Sequence, residues 1–168
     1  MSTEPDYEKD YYSVEKLDRE MSSDAQIRRI KLVASHCTGS VLDVGAGVGK
    51  LGEELKSKGQ VFELVDINDE YIKHMTSKGL NAVKGNAYCL AYDDGSFDTV
   101  CLTDGVEHFD NFGKVLSECC RIAKKKVILT LCKDSNDPPW HLWNLSWEPT
   151  DHWLVLEFHR NKENGERV

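Results

Sequence analysis

Short continuous apolar runs alternate along this chain with segments whose apolar residues recur every three or four positions. Runs of the first kind read as buried strands, and segments of the second kind as amphipathic helices. The strand pattern falls on Val41 to Val44, Val61 to Val65, Asn81 to Val83, Phe97 to Leu102 and Val127 to Cys132, with a further run from His152 to Phe158. Helical spacing links Ile27, Ile30, Val33 and Ala34, and later Val115, Leu116, Cys119 and Ile122. Leu51 to Lys58 and Asp69 to Ser77 fill the gaps between strands as two further helices, followed by Gly59 and Gly79. Ser22-Ser23-Asp24 supplies N-cap chemistry for the first long helix, because a side-chain oxygen can accept from a free first-turn amide.

Strands separated by helices of this length require crossover connections and hence parallel pairing, with both sheet faces covered. The expected fold class is α/β: a doubly wound, mostly parallel sheet. Residues 1–22 are polar, carry Tyr7, Tyr11 and Tyr12, and are expected to form an arm or short helix ahead of one domain over 23–168. A length of 168 residues suits one core.

Charge narrows the partners. The net charge is −8, from 29 acidic and 21 basic residues, so the surface repels a phosphate backbone unless its positive charge gathers in one patch. The only dense basic run, Lys124-Lys125-Lys126, is too short for such a footprint and is expected to be a solvated turn before a strand. Nucleic acid is therefore not expected as a partner. No stretch reaches the roughly 20 apolar residues of a membrane span, and the acidic N-terminus has no signal-peptide character. None of the six cysteines forms a C-x-x-C pair, and most sit in apolar runs. That usage fits a reduced, cytoplasmic core, with no metal site.

The chemistry lies at the strand ends, where doubly wound sheets bind ligands. The first strand runs into Asp43-Val44-Gly45-Ala46-Gly47-Val48-Gly49, whose alternate glycines let backbone approach a ligand and turn sharply into a helix. The second strand ends on Asp66, which can accept from both hydroxyls of a ribose, and Ile67 can lie on an adenine face. These features, about 20 residues apart in a strand–turn–helix–strand context, describe a nucleoside site. The dinucleotide pattern G-x-G-x-x-G is not met, because Lys50 stands three residues after Gly47. Asp43, two residues before the first glycine, suits the ammonium of an amino acid instead.

Here VLDVGAGVG (41–49) resembles motif I of the class I S-adenosylmethionine-dependent methyltransferases. LVDIN (64–68), GNAYCLAYDDGSFDTV (85–100) and LTDGVEHFDNFGKVLSECCRIAKKKVILT (102–130) are similar to the later motifs of its methyltransf-11-like branch, in order and at family spacing. The resemblance covers about residues 35 to 133 and implies a Rossmann-like methyltransferase fold with S-adenosylmethionine as cofactor and S-adenosylhomocysteine as product. It assigns Gly45 and Gly47 to the methionine moiety, Asp43 to its amino group, Asp66 to the ribose and Ile67 to the adenine ring. Asn86 and Ala87 would meet the adenine edge. The family often has aspartate at position 86, and the amide is expected to accept from the adenine amino group in its place. Asp104 and Gly105 would line the sulfonium end. Such relatives usually add a helix and an antiparallel strand pair after the fifth strand. Only one further strand pattern is present here, so either an abbreviated C-terminal edge or a chain cut short is expected.

Methyl transfer from a sulfonium needs mainly proximity and alignment, and a base only where the acceptor must lose a proton. His108 has a suitable side chain for that base, although the Glu107-His108 pair is frequently present in resembling families without a catalytic role. The catalytic residue is left unassigned. All four tryptophans fall between Ser135 and Trp153 and could either roof an acceptor pocket or cap the sheet as core. Asp137-Pro138-Pro139-Trp140 looks like the D-P-P-[YW] loop of nucleic-acid amino-methyltransferases, but it follows the fifth strand rather than the fourth. The expected function is methyl transfer to a small-molecule substrate. The alternatives are a donor-binding module that needs a partner chain or homodimer, and a protein or RNA methyltransferase. A nicotinamide-dependent oxidoreductase is opposed by the glycine spacing.

Overall fold

The computed structural model describes residues 13–103 and 108–132, together with 153–159, and gives only the backbone of 131, 132 and 153–159. Its elements run α1 (Val14–Glu20), α2 (Asp24–His36), β1 (Val41–Val44), α3 (Lys50–Ser57), β2 (Phe62–Asp66), α4 (Asp69–Ser77), β3 (Ala82–Lys84), β4 (Phe97–Leu102), α5 (Phe112–Ile122), β5 (Ala123–Cys132) and β6 (Trp153–His159).

The strands form one sheet in the order β3-β2-β1-β4-β5-β6. The first five are parallel, and β6 runs antiparallel to β5. The chain builds outward from β1 through β2 to β3, then returns to lay β4 on the other side of β1. The strand order reverses at β1/β4, so the crevice beyond their carboxyl ends is where such a sheet takes a ligand.

Alternation along the strands fills both faces. Leu42, Val44, Val100, Leu102, Val127 and Leu129 pack on α5 through Val115, Cys119 and Ile122. Val41, Cys101 and Ile128 point the other way, onto Ile30 and Val33 of α2 and Leu51 and Leu55 of α3. Double coverage explains why these strands read as unbroken apolar runs.

Two local expectations are corrected. Lys124-Lys125-Lys126 is not a turn: β5 begins at Ala123, pairs with Phe97 of β4 and shifts register before Lys126 meets Thr99. Lys124 and Lys125 stay exposed on that strand, and Lys125 pairs with Asp98 at 2.8 Å. Ser23 stands at the N-cap of α2 without a side-chain capping bond. Within the segment expected to be an arm or short helix, α1 is a short helix, and Val14, Leu17 and Met21 of its region pack against a cluster formed by Val48, Leu64, Tyr71, Met75 and Leu80.

Gly52 shows how close α3 lies to the sheet. A Cβ there would stand 2.6 Å from Leu64 Cδ1 and 3.0 Å from Cδ2, and Leu64 is fully buried. Alanine would gain about 1 kcal/mol in helix propensity, but forcing a methyl into a packed core costs roughly 1–3 kcal/mol. Packing should prevail: Gly52→Ala is expected to lower the urea midpoint, corresponding to a net loss of about 1 kcal/mol. A raised midpoint would show that α3 can move away from the sheet.

Candidate functional site

The turn after β1 is tied to the neighbouring strand. The Gly45 and Ala46 N–H groups donate to the Val65 carbonyl at 2.8 and 3.0 Å, and Gly47 N–H donates to Asp66 Oδ2 at 2.8 Å. Gly45, Gly47 and Gly49 all have positive φ (71°, 55° and 80°), where a side chain is strained. Their surroundings differ. A Cβ on Gly49 would strike Met75 Cγ at 2.8 Å, so this glycine lets the turn pack on α4. A Cβ on Gly47 would meet Leu17 of α1 at 3.3 Å, whereas one on Gly45 would meet nothing within 4 Å. The turn is thus closed below by α4, covered at Gly47 by α1 and open at Gly45.

An ion cluster also links α1 to α3 and to the end of α4. Asp18 lies 3.0 Å from Lys50 Nζ and 3.1 Å from Lys78 Nζ, while Lys78 also reaches Glu53 at 2.7 Å. Partial burial works to raise the Asp18 pKa, but hydrogen bonds from Lys50 and Lys78 prevail and hold it below its ordinary value.

Asp43 is the last residue but one of β1 and is 1% exposed. Its Oδ1 is buried and has no hydrogen-bond partner, whereas the carboxyl group does bond to the Thr103 side chain. Burial pushes its pKa up to about 7, aided by the neighbouring charge of Asp66 and opposed by Arg29 and Thr103. Arg29 rises from the buried side of α2 and donates to Thr130 Oγ1 at 3.3 Å. A buried acceptor left unpaired is costly, so this oxygen suits a cationic donor such as an ammonium group.

Asp66 ends β2 and is 6% exposed. Its Oδ1 accepts from Asn68 N–H at 2.9 Å and its Oδ2 from Gly47 N–H. Burial raises its pKa against these backbone bonds. A carboxylate has about four lone-pair sites, and with Ile67 N–H also bonded to it the group retains limited acceptor capacity toward a ribose hydroxyl. Asn68, not Asp66, caps α4, accepting from Glu70 and Tyr71 N–H groups. Ile67 is 39% exposed, an uncovered apolar face beside Asp66.

The turn at Asn86 and Ala87 begins directly beyond Asp66, because Gly85 N–H donates to the Asp66 carbonyl at 2.9 Å. Arg121 and Glu118 of α5 hold the following segment. Arg121 donates to the Leu90 and Tyr92 carbonyls at 3.1 and 2.7 Å, and Glu118 accepts from Leu90 N–H at 2.8 Å.

The structure therefore gathers Asp43, Gly45, Gly47, Asp66, Ile67, Asn86 and Ala87 at the carboxyl ends of β1, β2 and β3. His108 is exposed just before α5. Asp104, Gly105 and the aromatic segment up to His152 lie outside the described residues, as do Tyr7, Tyr11 and Tyr12. Among the described residues, no three His, Cys, Asp or Glu side chains converge as a metal site, and no helix is long and apolar enough to cross a membrane. Sequence reading missed Arg29, Thr103 and Leu17. Arg29 was detectable in principle, since it stands four residues before Val33 and thus on the buried stripe of α2.

Residues 42–131 match the family model described as a methyltransferase domain, Methyltransf_11. A demethylmenaquinone methyltransferase of Shouchella clausii is 31% identical over 111 residues, 59% of this chain and 46% of that protein. The ubiquinone/menaquinone biosynthesis C-methyltransferase UbiE of Francisella philomiragia is 31% identical over 96 residues, 50% of this chain and 38% of that protein. The chain spans about half the length of the curated relatives it matches. Among solved structures, the magnesium protoporphyrin IX methyltransferase ChlM of Synechocystis, crystallised with bound S-adenosylhomocysteine, aligns with a TM-score of 0.64 at 18% identity. That alignment covers 77% of this chain and 73% of that one, a likeness of fold.

The buried carboxyl makes stability depend on pH in a defined direction. Below the unfolded value of 3.8, Asp43 is protonated in both states. Between 3.8 and about 7 the unfolded chain releases a proton that the native state keeps, so this group's stabilising contribution is lost as pH rises through that window. Full conversion of the shift gives about 4 kcal/mol, and an amide in its place brings a buried N–H of its own. Asp43→Asn is therefore expected to stabilise the ligand-free protein by roughly 1–3 kcal/mol at pH 8, with little difference at pH 4. Urea unfolding at the two pH values checks this; equal stability at pH 8 would place Asp43 in a solvated site.

Proposed function

We propose that this chain, which belongs to the Methyltransf_11 methyltransferase-domain family, binds S-adenosylmethionine and directs its methyl group to a small organic acceptor. The observation that carries this reading is the buried, unpartnered Oδ1 of Asp43, two residues before Gly45, where a Cβ would meet nothing within 4 Å. A neutral or dry ligand would leave that oxygen unsatisfied, whereas the ammonium of a methionine moiety would satisfy it.

When bound, S-adenosylmethionine supplies a methyl group already activated on a sulfonium. The work of the chain is to hold and orient. Asp43 accepts from the ammonium group, and the open face at Gly45 admits the backbone of the methionine moiety. Asp66 accepts from a ribose hydroxyl with its remaining lone-pair site. Ile67 covers one face of the base, while Asn86 and Ala87 meet its edge. Asp104 and Gly105 are proposed to line the methyl end. His108 remains the candidate base for an acceptor that must lose a proton.

A small-molecule acceptor is supported by the acidic surface, with a net charge of −8, and by the names of the relatives. Those names make a demethylated quinone the first defined acceptor to try.

The test is transfer of labelled methyl from S-adenosylmethionine into demethylmenaquinone and into a fractionated cell extract. Label is expected in the small-molecule fraction. Asp66→Ala should weaken donor binding about 10- to 100-fold, the equivalent of one or two charged hydrogen bonds. Label in RNA or protein would overturn the acceptor class. No label in any fraction, from protein that demonstrably holds the donor, would overturn the activity.

A further inference from the structure

We propose that Cys37 and Cys101 are a redox pair that the folded chain closes into a reversible disulfide, fastening the end of α2 to β4. The loop so closed contains the glycine turn, Asp66 and Asn86, the half of the candidate site carried by β1, β2 and β3. This inference does not depend on the donor or the acceptor proposed above.

Cys37 is the C-cap of α2, and Cys101 of β4 pairs across the sheet with Asp43 of β1. Their sulfurs stand 3.5 Å apart in the core between α2, α3 and the sheet. Cys101 is fully buried, whereas Cys37 is 8% exposed. The chain between them and beside them is fastened on both sides. Thr38 N–H donates to Thr99 Oγ1 at 3.2 Å, and Thr99 Oγ1 donates to the Thr38 carbonyl at 2.8 Å. Ser40 N–H donates to Asp98 Oδ2 at 3.0 Å, and Thr99 N–H to the Ser40 carbonyl at 2.9 Å. The segment after α2 is thus stitched to the strand that carries Cys101, which keeps the two thiols together.

Their protons are ordered as well. Cys37 S–H donates to the Val33 carbonyl at 3.3 Å. A thiol carries one hydrogen, so the Cys101 S–H is the donor in the contact between the sulfurs. Hydrogen bonding to Cys37, burial and the nearby charge of Asp43 hold the Cys101 thiol well above its ordinary pKa. Cys101 is therefore the partner that keeps its proton. Cys37, the less buried of the two, is the one that meets an oxidant.

With hydrogen peroxide as oxidant, the Cys37 thiolate attacks one peroxide oxygen and the O–O bond breaks. Hydroxide leaves and takes up the proton Cys37 has lost, giving water and a sulfenic acid. Cys101 Sγ then attacks Cys37 Sγ, the S–O bond breaks, and the Cys101 proton departs with the hydroxyl as a second water. Two thiols are oxidised by two electrons, and one peroxide is reduced to two waters. A disulfide holds its sulfurs at about 2.05 Å, so closure draws them together by about 1.5 Å. It adds no atom to the core, whereas a sulfinic acid or a mixed disulfide needs new volume in a packed interior. Burial thus directs oxidation of Cys37 toward Cys101.

The test treats the folded full chain with hydrogen peroxide, then unfolds it, alkylates it with N-ethylmaleimide and maps its peptides. Chymotrypsin cuts at Leu90, Tyr92 and Phe97 and so separates Cys89 from Cys101. A linked Cys37–Cys101 peptide that dithiothreitol releases is expected as the main oxidised product at these positions. The oxidised protein should also unfold at higher urea than the reduced one, because a link between residues 64 positions apart constrains the unfolded chain. Cys37→Ser should show neither the link nor the rise, and the wild-type map decides the question alone if that variant does not fold. Cys37 and Cys101 both alkylated after the exposed Cys89 has oxidised would overturn the proposal. So would Cys37 recovered as a sulfinic acid or joined to another thiol, or a linked protein with a lowered urea midpoint.

Discussion

The burial of the Asp43 carboxyl at the end of the central strand governs much of the site. β1 is flanked by β2 and β4 and covered on both faces, so its last residues have no route to water along the sheet. Ionising a carboxyl there is unfavourable, and the protein compensates only in part, through Arg29 and Thr103. The remaining deficit is concentrated on one buried oxygen without a hydrogen-bond partner. An apolar residue at this point would pack at less cost, so retention of the charge has its physical rationale in a cationic ligand.

The glycine turn and Asp66 form a unit with that carboxyl. Gly47 N–H donates to Asp66, and the turn amides bond to Val65, so the backbone after β1 cannot shift independently of the end of β2. α1 adds a cover at Gly47, held by Asp18 between Lys50 and Lys78. Because these ionic contacts are partly exposed, each contributes little alone, and the apolar packing of Val14 and Leu17 does most to hold the helix. The site is pre-organised where the amino acid and ribose would bind, which reduces the entropy cost of binding.

Most of the fold was legible because parallel strands buried on both faces leave unbroken apolar runs bounded by glycines, as Val41 to Val44 and Phe97 to Leu102 show. The lysine triplet misled because a local charge run resembles a turn, while its pairing with β4 depends on residues far away in the chain. The polar groups of the candidate site were legible at strand ends, where topology alone brings Asp43, Asp66 and Asn86 together. What was not legible is non-local or directional. Leu17 meets Gly47 through tertiary packing, Arg29 approaches Asp43 across the α2–sheet interface, and the Asn86 amide is oriented by a turn that composition does not reveal.

The most direct test is the titration of the Asp43 carboxyl carbon by NMR, in the free protein and with S-adenosylhomocysteine, whose ammonium group matches that of the proposed donor. In the free protein the midpoint should lie at about 7. With ligand it should fall by two or more pH units, to roughly 5 or below, as the ammonium group pairs with the orphaned oxygen. A midpoint near the ordinary aspartate value in the free protein, or one that bound ligand leaves in place, would contradict the account.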